Sequence, residues 1–110
     1  MTERTRKVER VIQQAAAARL IGLLPRRMAP AVTITAAEVS PDLKHAVIWI
    51  GVLAEASPAE QVMKELEAVK PELQAAVAQA LSTKFVPRLS LRLDQGGAYA
   101  AGIEAIIKKL

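Results

Sequence analysis

Between Val8 and Leu23, apolar residues recur every three or four positions, at Val8, Val11, Ile12, Ala15, Ala18 and Leu23. That spacing lines one face of a helix, and the run Ala15-Ala16-Ala17-Ala18 repeats the strongest helix former. A helix is predicted from about residue 3 to residue 24, closed by Gly22 and Pro25. Beyond Pro30 the period falls to two. Val32 and Ile34 take one side and Thr33 and Thr35 the other, which predicts a β-strand. The alternation loses phase across Ala36-Ala37-Glu38-Val39, as at a bulge. Ser40-Pro41-Asp42-Leu43 supplies turn chemistry, since proline presets φ and aspartate bonds local backbone. A second strand runs from His45 to Leu53, with Ile48, Ile50 and Val52 on one face and Val47, Trp49 and Gly51 on the other. So short a connection makes the pair antiparallel.

Helical spacing returns after Ser57-Pro58-Ala59-Glu60, a capping box with proline at the first helical position. The helix it opens buries Val62, Met63, Leu66 and Val69. Pro71 lacks an N–H and would clash with the carbonyl four residues back, near Glu67, so the chain should kink or restart as a second helix, with the junction at Val69-Lys70-Pro71. The next stripe is Leu73, Ala76, Val77, Ala80 and Leu81, with Lys84 after it. Phe85-Val86-Pro87 leads into a third strand, RLSLRL, with Leu89, Leu91 and Leu93 inward and Arg88, Ser90 and Arg92 outward. Asp94 to Gly97 reads as a turn, and Ile103, Ile106, Ile107 and Leu110 are spaced for a last short helix.

The order is α-β-β-α-(kink)-α-β, an α+β domain with helices on one face of a three-stranded sheet. Residues 1–96 form it, and 97–110 are a C-terminal helix or tail. The other sheet face carries Thr33, Thr35, Trp49, Arg88 and Arg92. There Trp49 reads either as a base-stacking indole or as a half-buried strand residue under the tail helix, and the liking of strands for aromatics favours the second.

Composition narrows the picture. A chain of 110 residues is one domain, and with only Trp49, Phe85 and Tyr99 as aromatics its core is aliphatic. Without cysteine there are no disulfides, thiolate metal sites or cysteine nucleophiles, which suits a reducing cytoplasm. The first ten residues lack the apolar stretch of a signal peptide, and no run is long enough to span a membrane. The net charge of +4 is unevenly placed: residues 1–27 hold seven basic side chains against Glu3 and Glu9. Basic residues return in the last 26 positions with Arg88, Arg92, Lys108 and Lys109. Positive charge at both ends of a small domain suggests a polyanionic partner, and at the helix N-terminus it opposes the macrodipole, a local cost that hints at another use.

Catalytic chemistry has little to stand on. His45 is the single histidine, and Ser40 and Asp42 share its tight hairpin too closely to converge as a triad. One histidine without cysteine makes no zinc site. Glu60, Glu65, Glu67 and Glu72 alternate with Lys64 and Lys70 as a solvated helix face. Gly96-Gly97 lacks the downstream Gly-Lys of a phosphate loop. The chain reads as no enzyme, with no cofactor and no metal.

The element order is that of the type II KH fold, whose members clamp a nucleic-acid backbone with a GxxG loop between two helices. No glycine lies between Gly51 and Gly96, so the GxxG loop is absent. A type II KH-like chain without that loop resembles the bacterial ribosome-binding factor A family. The resemblance covers nearly the whole chain. It rests on Arg10-Val11, on Val32-Thr33-Ile34 leading to Glu38-Val39-Ser40-x-Asp42-Leu43-x-x-Ala46, and on Val86-Pro87-x-Leu89 followed by Asp94. The family departs from this chain in three places. Pro71 stands for its Ala-x-Gly kink, Gln74 for an arginine that is common there, and Pro25-Arg26-Arg27 for an acidic-Pro-Arg segment.

The resemblance implies a cytoplasmic assembly factor, most simply a monomer. It would bind the immature small (30S) ribosomal subunit, assist maturation of 16S rRNA and be displaced by a subunit-associated GTPase. Arg4, Arg6, Lys7, Arg10, Arg26, Arg27, Arg88 and Arg92 would neutralise RNA phosphates. The alternatives are a generic KH-like RNA-binding module and a protein-interaction domain using the apolar strand 47–53.

Overall fold

A computed structural model describes residues 3–53, 58–81 and 86–94. The first helix, α1, is Glu3–Leu23. Its buried apolar line is Ile12, Ala16 and Leu20, every fourth residue. Ala18, expected inward, is exposed. It lies two residues from the line, about 200° round the helix. Leu24 and Met28 turn back under the helix end, held by the Met28 N–H donating to the Pro25 carbonyl at 2.9 Å. A single 3₁₀ turn, Ala29–Ala31, then delivers the chain to the sheet.

Strands β1 (Val32–Val39) and β2 (His45–Val52) pair antiparallel from Val32 opposite Val52 to Val39 opposite Ala46. The bulge is present, at Thr35 between Ile34 and Ala36, slightly ahead of where the alternation fails. It explains that failure. Ile34 faces the helices before it, and Ala37 and Val39 face them after it. Leu53, expected in the strand, lies just past it and is exposed.

Helix α2 is Ala59–Ala68, with Pro58 at the N-cap rather than inside the first turn. Helix α3 is Lys70–Ala80. The break falls at Val69, within the expected Val69-Lys70-Pro71 junction, and Pro71 sits in the first turn of α3, where a missing N–H costs nothing. Proline here starts a helix instead of bending one. Leu73 and Val77 are buried, Ala76 is half-buried, and Ala80 is exposed.

Strand β3 (Arg88–Leu93) lies parallel to β2, from Arg88 beside His45 to Leu93 beside Ile50. The sheet is therefore mixed, in order β1-β2-β3. Every buried apolar side chain of the three helices joins one cluster with Ile48, Ile50 and Leu89. Ala36, Val47 and Trp49 form a second cluster on the opposite face. Ser57, Lys84, Phe85, the end of the expected Asp94–Gly97 turn and the expected helix or tail over 97–110 lie outside the described residues.

Candidate nucleic-acid interface

All eight basic residues singled out from the sequence are exposed. On α1, Arg10 stands four residues after Arg6 and three after Lys7, so the three share a face turned away from the buried line. Arg4 extends the group by one turn. Clustering like charges at a helix N-terminus costs local stability, and the core contacts of Ile12, Ala16 and Leu20 hold the helix regardless.

Glu9 places this face on the molecule. Its Oε2 accepts the Val39 backbone N–H at 2.9 Å, fixing the start of α1 at the end of β1. Burial pushes the Glu9 carboxyl above its ordinary value, and the Val39 N–H and the Arg6 charge pull partly back.

Val39 lies opposite Ala46, and Ala46 lies beside Leu89. Two strand spacings, about 10 Å, therefore cross the sheet at this end. Arg88 belongs to the same end as the basic turns of α1. Its backbone N–H donates to the Lys44 carbonyl at 2.9 Å, which brings exposed Lys44 alongside. The turn beneath is tied from within. Ser40 Oγ donates to Asp42 Oδ1 at 2.6 Å and accepts the His45 N–H at 3.1 Å, while Asp42 Oδ1 also accepts the Lys44 N–H at 3.0 Å. These bonds, the Ser40 hydroxyl first, hold the Asp42 carboxyl below its ordinary value. Leu43 closes the turn at φ 62°, a left-handed conformation costly for leucine, while its side chain packs against the core.

One end of the domain thus gathers Arg4, Arg6, Lys7, Arg10, Lys44 and Arg88 from three separate segments. Lys44 was missed in the sequence, where a lone turn lysine carries no signal; only the strand register brings it in. Arg26 and Arg27 are not part of this group. They follow the far end of α1, and a helix of 21 residues is about 30 Å long. Arg92 lies between, beside Trp49 on the sheet.

Two other candidates change character. Trp49 is only 3% exposed, so it offers no open stacking platform. Gln74 is half-buried and spent on the fold. Its Nε2 donates to the Pro87 carbonyl at 2.8 Å, and its Oε1 accepts the Leu89 N–H at 3.1 Å. Among the described residues, no three His, Cys, Asp or Glu side chains converge as metal ligands, and no helix is long and apolar enough to cross a membrane.

The sequence profile described as ribosome-binding factor A matches residues 4–107. The ribosome-binding factor A of Rubrobacter xylanophilus is 33% identical over 91 residues, covering 83% of this chain and 74% of its own. That of Caldicellulosiruptor bescii is 30% identical over 87 residues, covering 78% of this chain and 66% of its own. The Thermus thermophilus ribosome binding factor A coordinates fitted into a cryo-EM map of a 30S complex superpose with a TM-score of 0.64. They are 20% identical to this chain and cover 77% of it and 90% of their own, a likeness of fold. With the profile spanning nearly every residue from the basic helix onward, this chain belongs to the ribosome-binding factor A family.

Proposed function

We propose that this protein is an assembly factor that binds the immature small ribosomal subunit and assists maturation of 16S rRNA, using the basic end of the domain as its RNA contact. The observation that carries this reading is the convergence of Arg6, Lys7 and Arg10 on α1 with Lys44 and Arg88 at one end of the sheet, in a chain of this family. The domain acts as a type II KH-like scaffold without a GxxG clamp. The α2–α3 junction, Ala68-Val69-Lys70-Pro71, has no glycine to let a phosphate approach the main chain. Affinity then comes from side-chain cations neutralising phosphates, and selectivity from the shape of folded RNA. No bond is made or broken. The factor works as a cytoplasmic monomer, and a subunit-associated GTPase ends its stay.

The test replaces Arg6, Lys7 and Arg10 together by Ala and measures sedimentation with immature 30S particles across a salt series. Each lost phosphate contact lowers the slope of log affinity against log salt by roughly 0.7–0.9, so the triple variant should lose about two units of slope and bind weakly at moderate salt. Unchanged binding by a folded triple variant would refute the assignment. On a sucrose gradient the unmodified protein should travel with free small subunits; distribution over bulk RNA would favour a generic RNA-binding module.

A further inference from the structure

The turn between β1 and β2 lies inside the basic end, and it is tied more firmly than an exposed turn requires. Water satisfies the polar groups of an exposed loop, so hydrogen bonds within one add little to the fold. Here the exposed Asp42 carboxylate accepts the Ser40 hydroxyl at 2.6 Å and the Lys44 N–H at 3.0 Å, and Ser40 Oγ in turn accepts the His45 N–H at 3.1 Å. The Leu43 N–H donates to the Ser40 carbonyl at 2.8 Å, and Leu43 takes a φ of 62°, where glycine would be relaxed. Lys44 leaves this turn with both main-chain groups occupied, its N–H on Asp42 and its carbonyl on the Arg88 N–H. Asp42 also carries the wrong charge for its surroundings. The Ser40 hydroxyl and the Lys44 N–H lower its pKa and keep it ionised, and a carboxylate beside Lys44 and Arg88 subtracts from the attraction of a polyanion.

We propose that Asp42 is a positioning residue for RNA binding: with Ser40 it anchors the Lys44 main chain beside Arg88, so that both cations reach phosphates from a fixed base. A lysine ammonium rides on a flexible four-carbon stem, and the freedom it loses on binding weakens the contact. Fixing the base of the stem in the free protein removes part of that loss in advance. The ionised carboxylate serves because its hydrogen bonds are stronger than those of a neutral acceptor. On this account the gain in order outweighs the opposing charge. The inference rests on the RNA contact proposed above and adds how that end holds its cations in place.

Asp42→Ala and Asp42→Asn remove the same charge, but only asparagine keeps an oxygen for the Ser40 hydroxyl and the Lys44 N–H. In sedimentation with immature 30S particles across a salt series, Asp42→Ala should bind several-fold more weakly than Asp42→Asn. Its salt slope should be smaller by roughly 0.7–0.9, one phosphate contact. Ser40→Ala changes no charge and should also weaken binding, which holds the proposal to account even if Asp42→Ala unfolds. In a Lys44→Ala background the gap between the two Asp42 variants should close, whereas a general loosening of the fold would leave it open. Folded Asp42 variants that bind alike would overturn the inference, as would an alanine variant that binds more tightly or a Ser40→Ala variant that binds as the parent does. A gap that persists without the Lys44 side chain would overturn it too. The joint replacement of Arg6, Lys7 and Arg10, run in parallel, keeps the two readings apart. If it weakens binding while the Asp42 variants bind alike, this inference alone fails; if it leaves binding unaltered, the RNA contact itself is misplaced.

Discussion

At the scale of single residues, two polar side chains join elements that apolar packing alone would leave unregistered. Glu9 couples α1 to β1 through the Val39 N–H. Desolvation raises its pKa, so the native state holds that proton more tightly than the unfolded chain. The sign follows: stability falls as pH rises from the ordinary glutamate value through the raised one, and the loss persists at neutral pH. Glu9→Gln keeps an oxygen for the Val39 N–H and removes the charge. It should be at least as stable as the parent at neutral pH, with a flatter dependence across the mildly acidic range in urea titrations. Gln74 does different work. Its amide completes the outer edge of β3 by serving the Pro87 carbonyl and the Leu89 N–H at once, and both residues are buried. Gln74→Ala strands those groups and should lower stability by about 1–3 kcal/mol, read as a lower urea midpoint at unchanged slope. In the sequence the same residue looked like a missing RNA-contacting arginine. Nothing about a polar residue on a helix announces that its partner is the backbone of a strand 13 to 15 residues later.

Elements were legible wherever one period dominated. The helix over 3–23, the two antiparallel strands, the Leu89–Leu91 strand and the apolar lines of α2 and α3 all follow from spacing, because burial on one face forces that spacing. Two readings stayed open where local chemistry has two solutions. Pro71 can bend a helix or begin one, and the burial of Leu66 and Leu73 on either side selects a fresh start at Lys70. The bulge showed as a lost phase, but its position depends on the register with β2, which the sequence of β1 does not contain. That position has a consequence at Gly51. A Cβ there would meet Thr35 Cγ2 at 2.9 Å and Thr33 Cγ2 at 3.2 Å, and β-branched threonines are stiff at χ1, so making room carries a cost. Gly51→Ala, favourable by strand propensity, should instead destabilise by about 1–3 kcal/mol. Adding Thr35→Ser removes the nearer methyl and keeps the hydroxyl. The double variant should recover much of the loss, and a double-mutant cycle from thermal or urea unfolding measures that coupling.

At the scale of the molecule, what the sequence concealed is which charges are neighbours. Seven basic residues in the first 27 positions look like one block, yet α1 carries them to opposite ends of the domain, and the end holding Arg6, Lys7 and Arg10 gains Lys44 and Arg88 from segments far along the chain. Carboxylates share this end with the cations: Glu9 accepts the Val39 N–H with the Arg6 charge acting on it, and Asp42 is engaged by Ser40 and the Lys44 N–H. On the proposed reading, a folded RNA of fixed shape docks against the end that gathers three segments. Pairs of substitutions equal in charge should therefore differ in effect. Lys44→Ala with Arg88→Ala should lower affinity for immature small subunits and reduce the salt slope by roughly one to two units, compounding the loss from Arg6, Lys7 and Arg10. Arg26→Ala with Arg27→Ala removes the same two charges beyond the far end of α1 and should cost less affinity, as an independent change. Binding measured for both pairs and their combination with the helix triple tests this directly. Equal and interchangeable losses would mean that net charge alone governs binding, whereas a larger loss for the Lys44–Arg88 pair locates the RNA at the end where three segments converge.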